Sequence, residues 1–329
     1  MTKGLVTLFG GSGFIGRYTA RELVKRGYRV RIAVRRPHLA GDARLAGPPG
    51  WVDIVQTNIR NVPSIHRALE GAEAAINLVG IMYEKGKQNF ESAQREGAIN
   101  VAQACADASI EQLVHVSAIG ADTSSKSPYA RTKGEAEKAI AERFPTATII
   151  RPSIVFGPED KFFNRFAQLS GVTPMMPAIG GGKTKVQPIY AGNVAECLAN
   201  AVERSGTAGK TYELGGPRAY TFNEMYDYIG ETIDKKRLKL PLPFLVAKPM
   251  GYIFGTLFRF VPPFSWGMFG PAPITGSQVE LLKSDNVVAS DALTAADLGV
   301  TRLESVEAIV PSYLWRFRPY GQFHKKREA

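Results

Sequence analysis

The glycine-rich stretch after the first apolar run constrains this chain most. Residues 10–16 read GGSGFIG, directly after the apolar run LVTLF over 5–9 and before an amphipathic segment over 17–26. Glycines at this spacing allow a tight turn, a close approach of backbone to a phosphate, and close packing of a helix on a strand. A strand, a glycine loop and a helix in this order predict a dinucleotide-binding βαβ unit.

The sequence continues by alternating short apolar runs with helical stretches. Further strands are predicted over 28–34, 52–56, 74–80, 112–120 and 146–157, and helices over 62–70, 89–108 and 129–143. Strands separated by helices imply right-handed crossovers between parallel strands. The sequence therefore predicts an α/β fold with a Rossmann-like, doubly wound parallel sheet and a smaller mixed C-terminal domain.

The regular alternation stops after about residue 157. The stretch 171–185 is rich in glycine and proline and predicts a loop or flap. Core-like elements then return at 186–204 and 210–215. The predicted domains are a nucleotide-binding Rossmann domain over 1–217, with a flap near 160–185, and a C-terminal domain over 218–329.

The segment 241–270 is unusually aromatic. It holds eight aromatic residues and two charged ones, Lys248 and Arg259. A membrane-spanning helix needs about 20 uninterrupted apolar residues, and Lys248, Pro249 and the prolines at 262–263 interrupt this segment. Aromatic residues mixed with isolated cations indicate a segment at a membrane interface or against a partner protein. The alternative is that the segment packs over its own domain.

Composition and charge narrow the class of protein further. The formal net charge of +11 favours anionic partners, but the basic residues are dispersed and accompany no nucleic-acid-binding motif, so no nucleic-acid partner is expected. With Cys105, Cys197 and four scattered histidines, neither a disulfide framework nor a metal site is expected. The apolar run begins almost at the first residue, so we expect no signal or transit peptide.

Two arginines indicate which nucleotide is bound. Proteins that bind NAD usually place an acidic residue at the end of the second strand, and this chain has Arg35 and Arg36 there. Guanidinium groups suit a 2′-phosphate, which favours NADPH, although two loop arginines could also be merely solvated. Further contacts are predicted for the adenine from Asn58, and for the ribose and nicotinamide from Leu78, Val79 and Gly80.

Three residues form a pattern typical of reductases. Ser117 ends the fifth predicted strand, and Tyr129 and Lys133 lie four residues apart on one face of the next helix. In such a site the phenol is a general acid or base, and the ammonium must lower its pKa from about 10. Tyr83 and Lys87 have the same spacing but lie in a polar loop, so we interpret that pair as accidental.

These features resemble the short-chain dehydrogenase/reductase superfamily in its extended or atypical branch. More narrowly, the chain looks like the NADPH-binding accessory subunits of respiratory complex I and their bacterial relatives. The narrower resemblance rests on INLVG (76–80), HVSAIGAD (115–122), YARTKGEAE (129–137), RPSIVFGPEDKFFNRFA (151–167), KVQPIYAGNVA (185–195), ITGSQVELLKSDNVV (274–288) and RFRPYGQF (316–323). The motifs of the last third are the specific ones, because generic reductases share only the Rossmann half.

The resemblance implies a tightly held, structural or regulatory NADPH without independent turnover. It also implies a peripheral subunit on the matrix or cytoplasmic side of the membrane, which for a bacterial form is the cytoplasmic face of the inner membrane. The residues that it assigns to the pyrophosphate are Gly10, Ser12, Gly13, Phe14, Ile15 and Gly16. Those that it assigns to the 2′-phosphate are Arg35 and Arg36, and those that it assigns to the nicotinamide side are Lys133 and Pro152. Ser117, Tyr129 and Ile154 are further predicted cofactor contacts.

Two positions depart from the pattern of active extended reductases. Asn193 stands where these enzymes often carry an acid, and the INLVG stretch replaces a more polar sequence. The leading hypothesis is therefore a non-catalytic subunit that contacts its complex or the membrane through 241–270. An independent NADPH-dependent reductase or nucleotide-sugar epimerase stays open, and so does an NADP-binding redox sensor.

Overall fold

The computed structural model describes residues 3–84, 86, 88–260 and 275–323, with side chains omitted for 254–260. The chain folds into two compact units, and each is built from separate stretches. The first unit comprises Met1–Pro152, Ala191–Leu214 and Val288–Arg302, and the second comprises Ser153–Tyr190, Gly215–Val287 and Leu303–Ala329. The chain passes from one unit to the other several times. The domain boundary predicted after residue 217 lies close to one of these passages, between Leu214 and Gly215.

The strands and helices are numbered in chain order. The strands are β1 Leu5–Phe9, β2 Arg29–Val34, β3 Val52–Gln56, β4 Ala74–Asn77, β5 Gln112–Val116, β6 Thr148–Pro152, β7 Val155–Phe156, β8 Met175–Ile179, β9 Lys185–Val186, β10 Ile189–Tyr190, β11 Thr211–Leu214, β12 Tyr220–Thr221 and β13 Leu238–Leu242. The helices are α1 Phe14–Lys25, α2 Val62–Leu69, α3 Glu96–Asp107, α4 Pro128–Arg143, α5 Phe163–Val172, α6 Ala191–Glu203, α7 Phe222–Thr232, α8 Phe244–Phe260, α9 Gly276–Leu281, α10 Val306–Ile309 and α11 Pro311–Leu314. A π-helix over Glu91–Arg95 precedes α3 directly.

A seven-stranded sheet with the order β11-β6-β5-β4-β1-β2-β3 forms the centre of the first unit. Each neighbouring pair is parallel, and β1 pairs with both β2 and β4. This order confirms the predicted Rossmann-like fold. Because all the strands point the same way, their carboxyl ends share one edge, and the chain reverses its winding between β1 and β4.

The core of the first unit is an apolar cluster between the sheet and its helices. Phe9 and Leu113 of the sheet pack with Ile65 of α2, Val101 of α3 and Ile140 of α4 in one buried cluster. Both cysteines are free and buried, and burial raises the pKa of each thiol to about 12. These thiols therefore act as small apolar side chains rather than as nucleophiles.

The segment Val288–Arg302 returns from the last third of the chain to the first unit. Asn200 of α6 donates its side-chain amide to the Leu298 carbonyl at 2.7 Å. On β11, the Glu213 backbone donates to the Leu293 carbonyl at 2.8 Å, and the Glu213 carboxylate accepts from the Ala289 backbone at 3.0 Å. The predicted assignment of everything after 217 to a separate domain does not describe this stretch.

The second unit has an aromatic core. Phe156, Phe163, Phe166, Tyr226 and Tyr313 pack in one buried cluster that includes edge-to-face ring pairs. Such pairs add to the stabilisation from burial.

The closing stretch of the described chain is tied to the second unit. The buried Asp160 carboxylate accepts from the Tyr313 hydroxyl at 2.5 Å and from the Phe162 backbone at 2.8 Å. Arg316 donates to the Asn164 side chain at 2.5 Å, and Arg318 donates to the Thr232 carbonyl at 2.8 Å. Arg316 and Arg318 of the RFRPYGQF stretch thus help to hold the end of the described chain on the second unit.

One local prediction for the second unit is wrong. The predicted loop over 171–185 contains β8, which pairs in parallel with β13 about sixty residues later, and that distant partner leaves no mark on the local pattern. Pro249 lies inside α8, which runs from Phe244 to Phe260, so this proline does not end the helix.

The aromatic segment is described only in part, since its residues 261–270 lie outside the described ranges. Among the residues that the structure describes, no helix combines the length and the apolar character needed to cross a bilayer.

Candidate functional site

The glycine loop brings the start of α1 against the end of β1. Gly10 has a φ of +81°, which glycine adopts without strain, and its N–H donates to the Ala33 carbonyl at 3.0 Å. A Cβ on Gly16 would lie 2.5 Å from the Gly11 carbonyl oxygen, so only glycine fits there. No side chain caps α1 at Gly13, and its first turn carries no acid. The uncapped N–H groups and the helix dipole suit a phosphate.

Gly11 is a further candidate residue of the glycine loop, and it is not among the residues predicted from the sequence. A Cβ at this position would lie 2.9 Å from the Leu8 Cβ and 3.2 Å from the Ile32 side chain. It therefore keeps the loop close to the sheet. The signal was present in the doubled glycine of GGSGFIG.

A cluster of arginines follows the ends of β2 and β3. Arg35 and Arg36 are exposed, and neither forms an ion pair with any described residue. Burial lowers the pKa of Arg35, and so do the charges of Arg60 and Arg36. Arg60 is held near the end of β3, where its backbone N–H donates to the Asn58 Oδ1 at 3.1 Å. The predicted contacts include Asn58 for the adenine but not Arg60, which stands two residues later.

The turn after β4 lies beside the glycine loop. The Leu78 N–H donates to the Phe9 carbonyl at 2.9 Å, and the Val79 N–H donates to the Asn77 Oδ1 at 3.1 Å. The Asn77 amide in turn lies 3.2 Å from the Nδ1 of the buried His115. Burial and the Lys133 charge hold the pKa of His115 well below its usual range, so this imidazole is neutral at pH 7.

Of the three reductase-like residues, Lys133 and Ser117 lie together at the carboxyl edge of β5. The Lys133 ammonium is buried and donates to the Val116 carbonyl at 2.9 Å, next to Ser117. The Ser117 hydroxyl is buried and has no hydrogen-bond partner in the described chain. The half-buried Tyr129 packs its ring edge-to-face on Phe90, with 5.9 Å between centroids.

The electrostatics of Tyr129 differ from the sequence expectation. Burial raises its pKa to about 12, whereas the reductase pattern requires Lys133 to lower it. The ammonium is directed to the Val116 carbonyl, and burial lowers the pKa of Lys133 itself to about 8. The expected pairing of phenol and ammonium is absent from the contacts of these two described residues.

The remaining predicted residues lie in different parts of the molecule. Pro152 ends β6, and its carbonyl accepts from the Ile119 N–H at 3.1 Å. Ile154 belongs to the second unit and packs against its aromatic core. Tyr83 is partly exposed, and Lys87 lies outside the described residues.

Buried polar atoms without partners test whether a nucleotide fits. In the described part of the first unit these atoms are Thr57 Oγ1, Gln94 Oε1, His115 Nε2 and Ser117 Oγ. Thr57, His115 and Ser117 stand at the carboxyl ends of β3 and β5. Buried polar groups normally find partners, so such a group of atoms at one sheet edge fits a polar ligand. The glycine loop and the arginine cluster fit the phosphates of a dinucleotide.

Comparison with known proteins identifies the family. The NAD(P)H-binding family model matches residues 10–166, and the model of the 3-beta hydroxysteroid dehydrogenase/isomerase family matches 120–223. The mitochondrial NADH dehydrogenase (ubiquinone) 1 alpha subcomplex subunit 9 of Arabidopsis thaliana is 34% identical over 304 residues, which cover 90% of this chain and 74% of that protein. The chain belongs to this subunit 9 family.

Other comparisons agree with this family and fold. The subunit 9 of Rattus norvegicus is 32% identical over 314 residues, covering 93% of this chain and 79% of that protein. The triphenylmethane reductase of Citrobacter sp. superposes with a TM-score of 0.72 at 20% identity, covering 94% of this chain and 99% of that chain. The similarity to the subunit 9 of Rattus norvegicus confirms the family that the motifs predicted. The similarity to the reductase shows the shared fold alone.

Asn193 has a structural role in this member of the subunit 9 family. Its side-chain amide donates to the Arg302 carbonyl at 3.1 Å, within the first unit. A carboxylate could not donate this hydrogen bond and would repel the carbonyl oxygen. The amide at the position where extended reductases often have an acid is therefore explained by the returning segment Val288–Arg302.

The buried Lys133 should make stability depend on pH. Its pKa is about 8 in the folded chain and near 10.5 unfolded, so the unfolded state binds more protons between these values, and this lysine adds stability as the pH rises. We therefore expect the free energy of unfolding of the wild type to rise by about 2 kcal/mol relative to that of Lys133→Met between pH 7.5 and 10. Urea unfolding of both proteins across this range measures the difference, and a pH-independent difference would contradict the assigned pKa.

Proposed function

We propose that this chain is a non-catalytic accessory subunit of NADH:ubiquinone oxidoreductase, respiratory complex I. In this role it holds NADPH as a structural or regulatory ligand and supports assembly on the cytoplasmic face of a bacterial inner membrane. The observation that carries the proposal is the 34% identity to a curated subunit 9 across 90% of the chain, well beyond the nucleotide-binding half. A match confined to that half would favour a generic reductase equally.

The first unit offers a coherent set of groups for NADPH. The pyrophosphate would be held by the loop residues Gly10, Ser12, Gly13, Phe14, Ile15 and Gly16, the 2′-phosphate by Arg35 and Arg36, the adenine by Asn58, and the nicotinamide half by Leu78, Val79, Gly80, Ser117, Tyr129, Lys133 and Pro152. The chemistry that NADPH would supply when bound is hydride donation. A ligand that binds only the folded state also stabilises that state, which suits a structural role.

The contacts of Lys133 and Tyr129 support holding rather than turnover. One ammonium proton is directed to the Val116 carbonyl, which leaves two donors for ribose hydroxyls. A phenol with a pKa of about 12 is poorly matched to proton transfer near neutral pH. In the proposed role these residues bind the nucleotide and transfer no proton to or from a substrate.

Replacing Arg35 tests the choice of nucleotide. We expect Arg35→Ala to raise the dissociation constant of NADPH about 10- to 100-fold, because a charge-assisted hydrogen bond to the 2′-phosphate is lost. NADH lacks that phosphate, so its affinity should change less than about twofold. Titration calorimetry with both nucleotides measures this, with Arg143→Ala in the last turn of α4 as the control. Equal losses for NADPH and NADH would exclude the 2′-phosphate assignment.

Native membranes test the assembly role directly. We expect the chain, after mild detergent solubilisation and separation by size, to migrate with NADH:quinone oxidoreductase and to carry about one NADPH per chain. Immunodetection of the chain and enzymatic assay of released nucleotide measure the two quantities. Migration as a free monomer or small homo-oligomer would instead contradict the accessory role.

An apolar surface on the second unit supports attachment through 241–270. Leu245 and Ile253 of α8 are 89% and 65% exposed, and Leu238 of β13 is 73% exposed. Other exposed apolar side chains of this unit are Val172, Met175, Leu240, Val246, Met250 and Tyr252. Clustered exposure of this kind marks surfaces that contact a protein or a membrane. We propose that α8 contacts the membrane surface or a neighbouring subunit.

Polar substitutions on α8 test that attachment. We expect the double variant Leu245→Gln and Ile253→Gln to shift most of the chain from the membrane pellet to the soluble fraction, because it removes apolar contact area. The matched control is Leu45→Gln in the first unit, since Leu45 is 79% exposed. Unchanged sedimentation of the double variant, with the fold intact by circular dichroism, would count against attachment through α8.

An independent reductase or nucleotide-sugar epimerase is the second candidate. The position of Lys133 beside Ser117 at the end of β5 favours it, because an NADPH-dependent enzyme of this fold would use such residues. A screen of carbonyl substrates, followed by absorbance at about 340 nm, tests this reading.

A further inference from the structure

The π-helix over Glu91–Arg95 is a local irregularity that the proposed function does not use. Its residues continue directly into α3. π-turns are rare in proteins, and those that occur often lie at functional sites, because the added residue redirects the side chains. In this chain the turn carries Gln94, which is 1% exposed although its side chain is polar.

The orientation of the Gln94 amide follows from its neighbour on α4. The Gln94 Nε2 lies 3.1 Å from the Thr132 hydroxyl oxygen. That hydroxyl already donates its single proton to the Pro128 carbonyl at 2.8 Å, so it can only accept from Gln94. The amide nitrogen therefore faces Thr132, and the Oε1 acceptor points away. This Oε1 is buried and has no partner in the described chain.

The Oε1 and the Lys133 ammonium flank the same backbone position, Gly80. A Cβ built on Gly80 would lie 3.6 Å from the Lys133 Nζ and 4.0 Å from the Gln94 Oε1. Gly80 itself is exposed at the turn after β4. One hydrogen-bond acceptor and one donor group with free protons thus converge beside an open backbone.

We infer that Gln94 is a binding residue for the nicotinamide ribose, with its Oε1 accepting from one ribose hydroxyl while Lys133 donates to the neighbouring hydroxyl. A vicinal diol matches this pair, because each hydroxyl both donates and accepts. The contact also gives a partner to an acceptor that is otherwise buried without one, which is costly. The inference rests on the proposed binding of NADPH and adds a residue to that site.

Fragments of the nucleotide separate this role from a purely structural one. We expect Gln94→Ala in the full chain to raise the dissociation constants of both NADPH and NADH about tenfold, as for loss of a buried hydrogen bond. The affinity for 2′,5′-ADP, which lacks the nicotinamide ribose, should change less than about twofold. Titration calorimetry measures all three ligands.

The matched control is Gln103→Ala on α3. Gln103 is exposed and donates only to Asp107 one turn later, at 2.9 Å, so its removal should leave the affinity for every ligand unchanged. An equal loss for 2′,5′-ADP in Gln94→Ala would overturn the inference, because the variant would then act through the fold. Unchanged NADPH affinity in this variant would overturn it as well.

The wild-type protein and Arg35→Ala distinguish failure of the inference from failure of the proposed function. If the wild type binds NADPH with the expected dependence on Arg35 and Gln94→Ala has no effect, only the role of Gln94 is wrong. If the wild type binds none of the three ligands, both the nucleotide-binding role and the role of Gln94 are wrong.

Discussion

Close packing of α1 on the end of β1 is the constraint on which the candidate site depends. A side chain at position 16 would collide with the Gly11 carbonyl, and one at position 11 would collide with Leu8 and Ile32. The glycines thus allow the first turn of the helix to reach the carboxyl edge of the sheet. Its uncapped N–H groups then lie where the parallel strands end. The turns after β2 to β5 begin at the same edge and carry most of the other candidate residues, whereas Tyr129 and Lys133 lie on α4.

The distribution of charge follows the same geometry. The net charge of +11 says only that the surface favours anions. The fold concentrates part of this positive charge, since Arg35, Arg36 and Arg60 follow the adjacent strands β2 and β3. The charges of Arg36 and Arg60 lower the pKa of Arg35. Gathering like charges destabilises the folded chain, and a bound dianion offsets that cost. The neutral His115 in the interior adds no charge to this repulsion.

The sequence predicted the features that depend on local periodicity. The strands of the parallel sheet, the helices between them and the glycine loop lie close to their predicted ranges. Features that depend on distant partners were missed, such as β8 with its partner β13 and the returning segment Val288–Arg302. The positions of Arg60 near Arg35 and of Gln94 near Gly80 were also not predicted, because the local sequence does not reveal the strand end or the π-turn that places them.

Tyr129 and Lys133 show why spacing alone does not establish catalysis. A separation of four residues predicts that two side chains share a helix face, and the structure agrees. The pKa of each group depends instead on burial and on which acceptor the ammonium reaches, and neither is encoded in the spacing. Here the Val116 carbonyl takes the ammonium, and burial keeps the phenol protonated. The spacing therefore predicts the shared helix face, whereas the protonation state of the two groups follows from the burial and the contacts that the fold imposes.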